Sequence, residues 1–265
     1  MNPCDICSCT DHEIKWHVNG YAILCCKQCG LISANVSAAQ IANAYEADYY
    51  RLIYPDYESD RNIHDLNNAK LLDQIEKTHA SGSLIEIGSA FGFFLDAATR
   101  RGWDTLGFES SRYASSVARE KYHQKITTED FLTAKIGVPA DVVCMFDTIE
   151  HLLRPSQYIE KIADTLKEGG CLFITTGDIS SLIARITGKR WRMVAPPLHV
   201  YYYSRQTVTK LLERYGFQII SIRHESKFQN INSMLQYQFG ISKRRLPKIP
   251  VPLNFGDIMS VKAIK

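Results

Sequence analysis

The stretch "LIEIGSAFGFFLDAA", residues 84–98, decides the fold. It contains an apolar run with one acid, a turn of small residues, and a second apolar stretch with helical spacing. This order is typical of a buried strand that turns tightly into a helix. Gly88, Ala90 and Gly92 leave room for a ligand to approach the main chain. Their spacing differs from the GxGxxG loop that binds a dinucleotide, and two phenylalanines at the helix start argue against a diphosphate there.

An acid in the next predicted strand extends this interpretation. Glu86 lies in the first strand, and Glu109 ends the second strand 23 residues later. An acid at that second position can accept hydrogen bonds from both hydroxyls of a ribose. A tight turn with no ligand would explain the small residues alone. Together, the turn and the acid predict a ligand that contains a nucleoside.

Strands and helices alternate from residue 81 onward. Strands are predicted at "SLIEIG", "DTLGFE", "DVVCMF" and "CLFITT", and the helices between them at 91–101, 112–122 and 155–167. Continuous apolar strands in strict alternation with helices predict a parallel sheet covered on both faces. A further helix at 204–215 precedes "FQIISIRHE" and "GDIMSVKAIK", which we interpret as a closing antiparallel pair.

Residues 36–80 precede this alternation and are predicted to be helical and polar. They are rich in tyrosine and end at the "ASGS" break before the first strand. The tyrosines are Tyr45, Tyr49, Tyr50, Tyr54 and Tyr57.

Six of the eight cysteines lie in the first 29 residues. Four of them, Cys4, Cys7, Cys26 and Cys29, form the pattern C-x2-C-x18-C-x2-C, which predicts a zinc site. Four thiolates would close the zinc shell, so we expect a structural metal and a sheet domain that stays folded without it. A disulfide framework is the alternative, but it requires an oxidising compartment. Cys9 or Cys25 could replace one of the four ligands, whereas Cys144 and Cys171 fall in apolar runs and are predicted core residues.

Composition limits the classes of function. The chain has 265 residues, 45% of them apolar, and a net charge of +3, too small to imply a polyanionic partner. The basic clusters at 188–192 and 242–248 are interpreted as solvated loops. With no apolar signal-peptide core and no run of about 18 apolar residues, we expect a cytoplasmic protein without a membrane partner.

From about residue 81 to the end, the chain resembles the class I S-adenosylmethionine-dependent methyltransferases. "EIGSAFG" resembles their first motif, with Ala90 in place of a glycine, and "GFESS" resembles their ribose-binding motif. "TEDF", "FDTIEHLLRP" and "LKEGGCLFITT" resemble the next three motifs in order. The resemblance implies an α/β, Rossmann-like fold with a mostly parallel sheet and an antiparallel last strand. It implies that the cofactor contacts Glu86, Gly88, Ala90, Phe91, Gly92, Glu109, Asp130, Phe131, Phe146 and Asp147.

The expected organisation is a zinc-binding knuckle at 1–35, a helical lid or linker at 36–80, and the methyltransferase domain at 81–265. A knuckle in front and "PPLHVYYYSRQTVTKLLERYGF" behind narrow the resemblance to bacterial small-molecule methyltransferases, many of them associated with sugar-nucleotide or surface-polysaccharide pathways. The related sugar C-methyltransferases have a further C-terminal domain and a Tyr-x-Glu-His tetrad, where this chain has Pro196 to His199. "FDTI" stands where methylases of nucleobase amino groups have Asn or Asp before Pro-Pro-Tyr. We therefore expect neither C-methylation nor methylation of base amino groups.

O-methylation of a small polar acceptor, such as a sugar or sugar nucleotide, requires a base if the hydroxyl does not ionise unaided. The resemblance makes His199 the first candidate and His151 the second. His151 could instead hydrogen-bond the backbone beneath the cofactor, and His199 could be structural. Glu150 and Asp147 could serve only as a helix-start charge and a loop cap. Trp191 and Tyr201 to Tyr203 could line an acceptor pocket or belong to the core.

Two other functions remain open from the sequence. A zinc knuckle ahead of a methyltransferase core could bind RNA, in which case the basic clusters would lie on the side of the knuckle. The weak overall charge makes a nucleic-acid partner unexpected. Alternatively, the chain could bind the cofactor without turnover, as a partner in a biosynthetic complex.

Overall fold

The central sheet has the topology that the alternation predicts. The structure is a computed structural model and describes residues 3–44, 57–230 and 250–265. Seven strands form this sheet: β4 (Ser83–Ile87), β5 (Asp104–Phe108), β6 (Ile126–Thr127), β7 (Ala140–Phe146), β8 (Leu166–Gly177), β10 (Gln218–His224) and β13 (Ile258–Ile264). Their order across the sheet is β10-β13-β8-β7-β4-β5-β6. The strands from β8 to β6 are parallel, whereas β13 pairs antiparallel with both β8 and β10.

Helices connect these strands, and two of them begin at a serine whose side chain caps the first turn. The Ser111 hydroxyl accepts a hydrogen bond from the Ala114 N–H, and Ser204 forms a reciprocal capping box with Thr207. The helices of the described ranges are α1 (Ala38–Ala44), α2 (Arg61–Glu76), α3 (Phe93–Arg100), α4 (Arg112–Tyr122), α5 (Pro155–Thr165), α6 (Leu182–Thr187) and α7 (Arg205–Arg214). None of them combines the length and apolar content needed to span a bilayer.

The predicted boundaries differ from the structure most at the strand that follows α5. The sequence predicts a helix that reaches residue 167 and a strand that begins at Cys171, but α5 ends at Thr165 and β8 begins at Leu166. Residues 167–170 are polar or glycine, so the apolar pattern does not mark them as part of a strand.

A second sheet lies at the N-terminus and extends beyond the knuckle. It contains β1 (His12–Val18), β2 (Tyr21–Cys26), β3 (Ile32–Ala34) and β9 (Tyr201–Tyr202), in that order. The last of these pairs, between β3 and β9, joins residues that are far apart in the chain. A small antiparallel pair, β11 (Lys227–Asn230) with β12 (Pro250–Leu253), contacts α2.

The N-terminal segment packs into the main core. Cys4, Cys26 and Cys29 are buried in the same apolar cluster as Tyr203 and Leu211. Two further contacts join the segment to helices of the main domain. The Asp5 carboxylate accepts hydrogen bonds of 2.8 Å from the Ser156 N–H and hydroxyl at the start of α5, and Lys210 of α7 donates to the Cys29 carbonyl at 3.4 Å. The knuckle therefore packs directly against the main domain and shares its hydrophobic core.

Within residues 36–80 the described part contains two helices, α1 and α2, with turns or irregular backbone at 36–37, 57–60 and 77–80. Tyr45, Tyr49, Tyr50 and Tyr54 lie outside the described residues. Tyr57 packs against His64 of α2 and against Phe91 and Phe93, with ring centroids 4.3 to 5.4 Å away. This segment therefore covers the start of α3.

Replacement of Gly88 tests the turn between β4 and α3. Gly88 has a φ of +80°, and an added Cβ would overlap the Thr148 hydroxyl and lie 2.8 Å from its Cγ2. We expect Gly88→Ala to lower the free energy of unfolding by at least about 2 kcal/mol, because it adds left-handed strain to overpacking. Urea denaturation measures this change. Gly137→Ala is the control, since Gly137 has open space around it, and an equal loss in both variants would contradict the explanation.

Candidate functional site

The turn after β4 is shaped by its backbone. Gly88, Ala90 and Gly92 have φ values of +80°, +46° and +73°, in the left-handed region. The N–H groups of Gly88 and Ser89 both donate to the Phe108 carbonyl at the end of β5, at 2.8 and 3.1 Å. Ala90 is strained, because a left-handed residue with a Cβ costs about 1 to 2 kcal/mol. The turn is thus held tightly against the neighbouring strand.

The Glu109 carboxylate holds the same turn from the side. Its Oε2 accepts the Ala90 N–H at 2.8 Å, and its Oε1 accepts the Ser111 N–H at 2.7 Å. Glu109 is 6% exposed. Carboxylate oxygens are acceptors, which is the role that the hydroxyls of a ribose require of their partner.

Glu86 and Ser89 lie at this turn with buried polar atoms that lack a hydrogen-bond partner. These atoms are Glu86 Oε2 and Ser89 Oγ. Burial, with the charge of Glu109 second, raises the pKa of Glu86 well above its ordinary value. Buried polar atoms are nearly always satisfied, so these two fit a ligand that brings hydrogen-bond donors. An ammonium group and ribose hydroxyls, as S-adenosylmethionine carries them, meet that requirement.

The predicted adenine region lies beyond β6. The Asp130 Oδ1 accepts hydrogen bonds from the Leu132 N–H at 2.9 Å and the Tyr158 hydroxyl at 3.0 Å. Phe131 is 2% exposed and packs against Phe108 and Tyr158. Asp130 therefore caps the loop, and the ring of Phe131 belongs to the core.

The rings of Phe91 and Phe146 pack against other aromatic rings. Phe91 is 4% exposed and packs edge-on against Phe93 and Tyr113. Phe146, at the end of β7, packs edge-on against Phe94. The structure thus gives both rings apolar neighbours, so a cofactor contact from Phe91 would come from its backbone.

Asp147 stands at the carboxyl end of β7 with a φ of +49°. Its Oδ1 accepts the Thr175 hydroxyl at 2.9 Å, and its Oδ2 forms an ion pair with Lys227. Lys227 lies 80 residues away on β11, and sequence reasoning missed it. No local pattern could have identified it, because the pair depends on the tertiary fold.

His151 and His199 come together beside Glu150. Their ring centroids are 4.7 Å apart, and one donor atom from each of the three residues lies within 4.8 Å of the others. His151 Nδ1 is 2.9 Å from the Leu198 carbonyl, and His199 Nδ1 is 2.6 Å from the Met193 carbonyl. A backbone carbonyl at Nδ1 fixes the proton there and makes Nε2 the basic atom of each ring.

Glu150 is the member of this cluster that sequence reasoning undervalued. It is 2% exposed, its Oε2 accepts the Thr176 hydroxyl at 2.9 Å, and its Oε1 has no hydrogen-bond partner. Burial raises the pKa of Glu150 to about 7 and lowers the pKa of both histidines. Two imidazoles and a carboxylate at this spacing can share a proton or hold a small cation, and the orphaned Oε1 makes either favourable.

The other aromatic candidates belong to the core. Trp191 is 3% exposed, and its indole N–H donates to Asp257 at 2.9 Å. Tyr202 and Tyr203 are also buried, whereas Tyr201 is half-buried and its hydroxyl donates to the Leu153 carbonyl at 3.3 Å. Cys144 and Cys171 are fully buried, as predicted.

The four cysteines of the knuckle converge as their spacing predicts. Their Sγ atoms all lie within 4.8 Å of one another, with Cys4 to Cys29 at 3.4 Å and Cys7 to Cys26 at 3.5 Å. Tetrahedral zinc with bonds of about 2.3 Å requires sulfur atoms about 3.8 Å apart. Cys9 and Cys25 are outside this group, and Cys9 Sγ accepts the Asp11 N–H instead.

The thiols of this cluster need a cation in order to ionise together. Burial raises the pKa of Cys4 and raises that of Cys29 to about 11. Burial also opposes ionisation of Cys26, but backbone N–H donors from Cys29 and Gln28 lower its pKa to about 6. A divalent ion would stabilise all four thiolates, so the donor set fits zinc.

Comparison with known proteins identifies the type of domain. A family model described as a methyltransferase domain matches residues 59–222, more than half of the chain. That range contains the turn after β4, Glu109, Asp147 and the cluster of Glu150, His151 and His199.

Several curated relatives carry the name ubiquinone biosynthesis O-methyltransferase. The mitochondrial protein of Dictyostelium discoideum is 23% identical over 50% of this chain and 47% of its own length. The protein of Stutzerimonas stutzeri (strain A1501) is 29% identical over 54% of this chain and 64% of its own length. The match thus spans between about half and two thirds of these relatives.

Solved structures show the same fold at low identity. A SAM-dependent methyltransferase from Archaeoglobus fulgidus superposes with a TM-score of 0.59 at 18% identity, covering 82% of this chain and all of the other. Magnesium protoporphyrin IX methyltransferase from Synechocystis PCC 6803, solved with bound SAH, has a TM-score of 0.56 at 14% identity, over 84% and 99% of the two chains. The predicted Rossmann-like methyltransferase fold is confirmed.

Metal analysis tests the knuckle. We expect one zinc per chain, lost in Cys26→Ser and retained in Cys9→Ser, as measured by elemental analysis of freshly purified protein. Because three of the cysteines share the main core, we expect chelation to lower the unfolding midpoint of the whole protein. This revises the expectation of an independent sheet domain. Wild-type protein without metal, or full zinc in Cys26→Ser, would contradict the site.

Calorimetry with S-adenosylhomocysteine tests Glu109. We expect Glu109→Gln to weaken binding about tenfold or more, because it removes a charge-assisted acceptor worth roughly 1.5 to 3 kcal/mol. Glu129→Gln is the control, since Glu129 is an exposed acid in the same region. Equal affinity in the wild type and Glu109→Gln would remove Glu109 from the site, and tighter binding of NAD would overturn the choice of cofactor.

Proposed function

Because the chain belongs to the methyltransferase-domain family, we propose that it transfers a methyl group from S-adenosylmethionine to a hydroxyl oxygen of a small polar acceptor. The bound cofactor supplies a methyl group already activated by its sulfonium. The chain's own residues then have to bind the cofactor, orient the acceptor and remove the proton of its hydroxyl. The observation that carries the proposal is the meeting of His199, His151 and the unsatisfied Glu150 beside Asp147.

In this proposal, the turn after β4 holds the cofactor. Gly88 to Gly92 receive its amino-acid part, with Glu86 and Ser89 as acceptors, and Glu109 receives the ribose. Asp130 and Phe131 border the adenine. Asp147 stands directly after β7, and its charge acts on both His151 and His199.

His199 is the proposed base. Its Nε2 takes the proton of the acceptor hydroxyl, while Nδ1 keeps its hydrogen bond to Met193. Burial lowers the pKa of His199, so the ring is neutral and able to accept a proton at pH 7. Glu150 stabilises the imidazolium that forms, and His151 is the second candidate for the base.

The proposed acceptor is a sugar or a sugar nucleotide. This choice of acceptor rests on the resemblance of the N-terminal knuckle, and of the segment that carries His199, to bacterial small-molecule methyltransferases. A phenolic acceptor is the second candidate, because the curated relatives are named as O-methyltransferases of ubiquinone biosynthesis. We place the protein in the cytoplasm, since reduced thiols in the knuckle suit a reducing compartment.

A turnover screen distinguishes these acceptors. Purified protein is incubated with S-adenosylmethionine and, in separate panels, with sugar nucleotides, dihydroxyphenols or a transfer RNA mixture, and formation of S-adenosylhomocysteine is measured. Turnover with the sugar panel supports the proposal, and turnover with phenols favours the second candidate. Methylated RNA would favour the RNA alternative, and cofactor binding with no turnover in any panel would favour the non-catalytic one.

Replacement of His199 tests the base. We expect His199→Ala to lower kcat by at least about 10²-fold, the lower end for a lost general base, and to leave cofactor affinity unchanged. Higher pH should partly rescue the variant, because the acceptor hydroxyl then ionises without help. His17→Ala, in the exposed part of β1, should match the wild type. Turnover of His199→Ala within a few-fold of the wild type would exclude His199 as the base.

A further inference from the structure

Helix α6 exposes two large aliphatic side chains on one face. Leu182 is 74% exposed and Ile186 is 76% exposed. They are four residues apart, so they are neighbours on the helix surface. Val138 is comparably exposed, but it stands alone in a loop. The pair on α6 therefore forms a small apolar projection.

The opposite side of α6 is firmly anchored. The Ser181 hydroxyl caps the helix at the Ala184 N–H, and Ala184 is 1% exposed. Trp191, just beyond the helix, is buried and bonded to Asp257, which also accepts two hydrogen bonds from Arg192. Because the helix is fixed on both sides of the pair, Leu182 and Ile186 cannot turn inward.

Cations surround the two aliphatic residues. Arg185, Lys189 and Arg190 are exposed, and within the described ranges no carboxylate pairs with them. Between Asp178 and Glu213 the chain contains six Lys or Arg residues and no acid. We call Leu182, Arg185, Ile186, Lys189 and Arg190 the α6 surface. It combines apolar side chains with uncompensated positive charge.

We propose that the α6 surface docks the protein on an anionic lipid bilayer. Lipid headgroups would pair with the three cations, and the two aliphatic chains would enter the boundary between headgroups and acyl chains. This proposal revises the expectation of a protein without a membrane partner, which rested on the lack of an apolar run long enough to span a bilayer; no helix of the described residues is long and apolar enough to do so, but docking on the surface of a bilayer needs none. Two aliphatic side chains and three charges give weak, reversible binding that falls as the salt concentration rises.

Other partners fit this surface less well. RNA would use the cations, and the 188–192 cluster does lie near β1 of the knuckle, where Trp16 approaches Gly188. However, single-stranded RNA gains affinity from exposed aromatic rings, and the tryptophan of this cluster is buried. A second copy of the chain would bring the same cations face to face in a two-fold interface, which is repulsive.

Vesicle sedimentation tests the proposal on the full chain. The vesicles are phosphatidylcholine alone or phosphatidylcholine with phosphatidylglycerol at about 3:1, chosen to vary the surface charge. We expect binding to the anionic vesicles only. Arg185→Gln/Lys189→Gln/Arg190→Gln should weaken it about 10²-fold, since each cation near an anionic surface is worth about fivefold. Leu182→Ser/Ile186→Ser should weaken it about tenfold or more, because burial of the aliphatic chains is lost.

Matched controls separate this surface from general charge and exposed apolar residues. Lys125→Gln/Lys135→Gln/Arg100→Gln removes the same charge elsewhere, and Val138→Ser removes an exposed aliphatic residue elsewhere. Both controls should bind as the wild type does, and circular dichroism verifies that every variant is folded. The proposal is overturned if anionic vesicles are not bound, or if the control triple loses as much binding. One further pair of results would overturn the proposal. In that case a single-stranded RNA oligonucleotide binds in a way that depends on the three cations, and vesicle binding is unchanged in Leu182→Ser/Ile186→Ser.

Discussion

The double hydrogen bond of the Glu109 carboxylate is the constraint on which the proposed cofactor site depends. One side chain accepts the N–H of Ala90 in the first strand-to-helix turn and that of Ser111 at the second. It thereby links the ends of two parallel strands and holds a strained alanine in the left-handed region. The group that shapes the turn is also the group proposed to bind the ribose. The site is therefore organised before any ligand arrives, which reduces the entropy cost of binding.

A second link, through Val200, joins the N-terminal sheet to the residues that are proposed to act on the acceptor. The Val200 N–H donates to the Glu150 carbonyl at 2.8 Å, and its own carbonyl accepts the Ala34 N–H at 2.7 Å. One residue thus connects the N-terminal sheet with the segment that carries His199 and with the residue beside His151. The N-terminal sheet, which includes Cys25 and Cys26 on β2, is thereby joined by hydrogen bonds to the backbone of Glu150.

Local sequence features predicted the local parts of the structure. The strand-to-helix turn, the cysteine cluster and the alternation of strands and helices depend on residues close together in the chain, so periodicity and spacing revealed them. Contacts over long separations were not accessible in this way. His151 and His199 were selected separately, and only the fold shows that their rings meet. The burial of Glu150, its bond to Thr176 and the ion pair of Asp147 with Lys227 likewise depend on tertiary packing.

The pairing of β3 with β9 determines where the protein can be shortened. A truncated chain beginning after residue 35 would lack β3 and would leave the backbone of Tyr201 and Tyr202 as an open strand edge. It would also uncover the apolar side chains of α7 that pack against the cysteines. An unpaired edge next to exposed apolar surface favours aggregation. The first 35 residues therefore protect the remainder of the chain from aggregation by covering this strand edge and these apolar side chains.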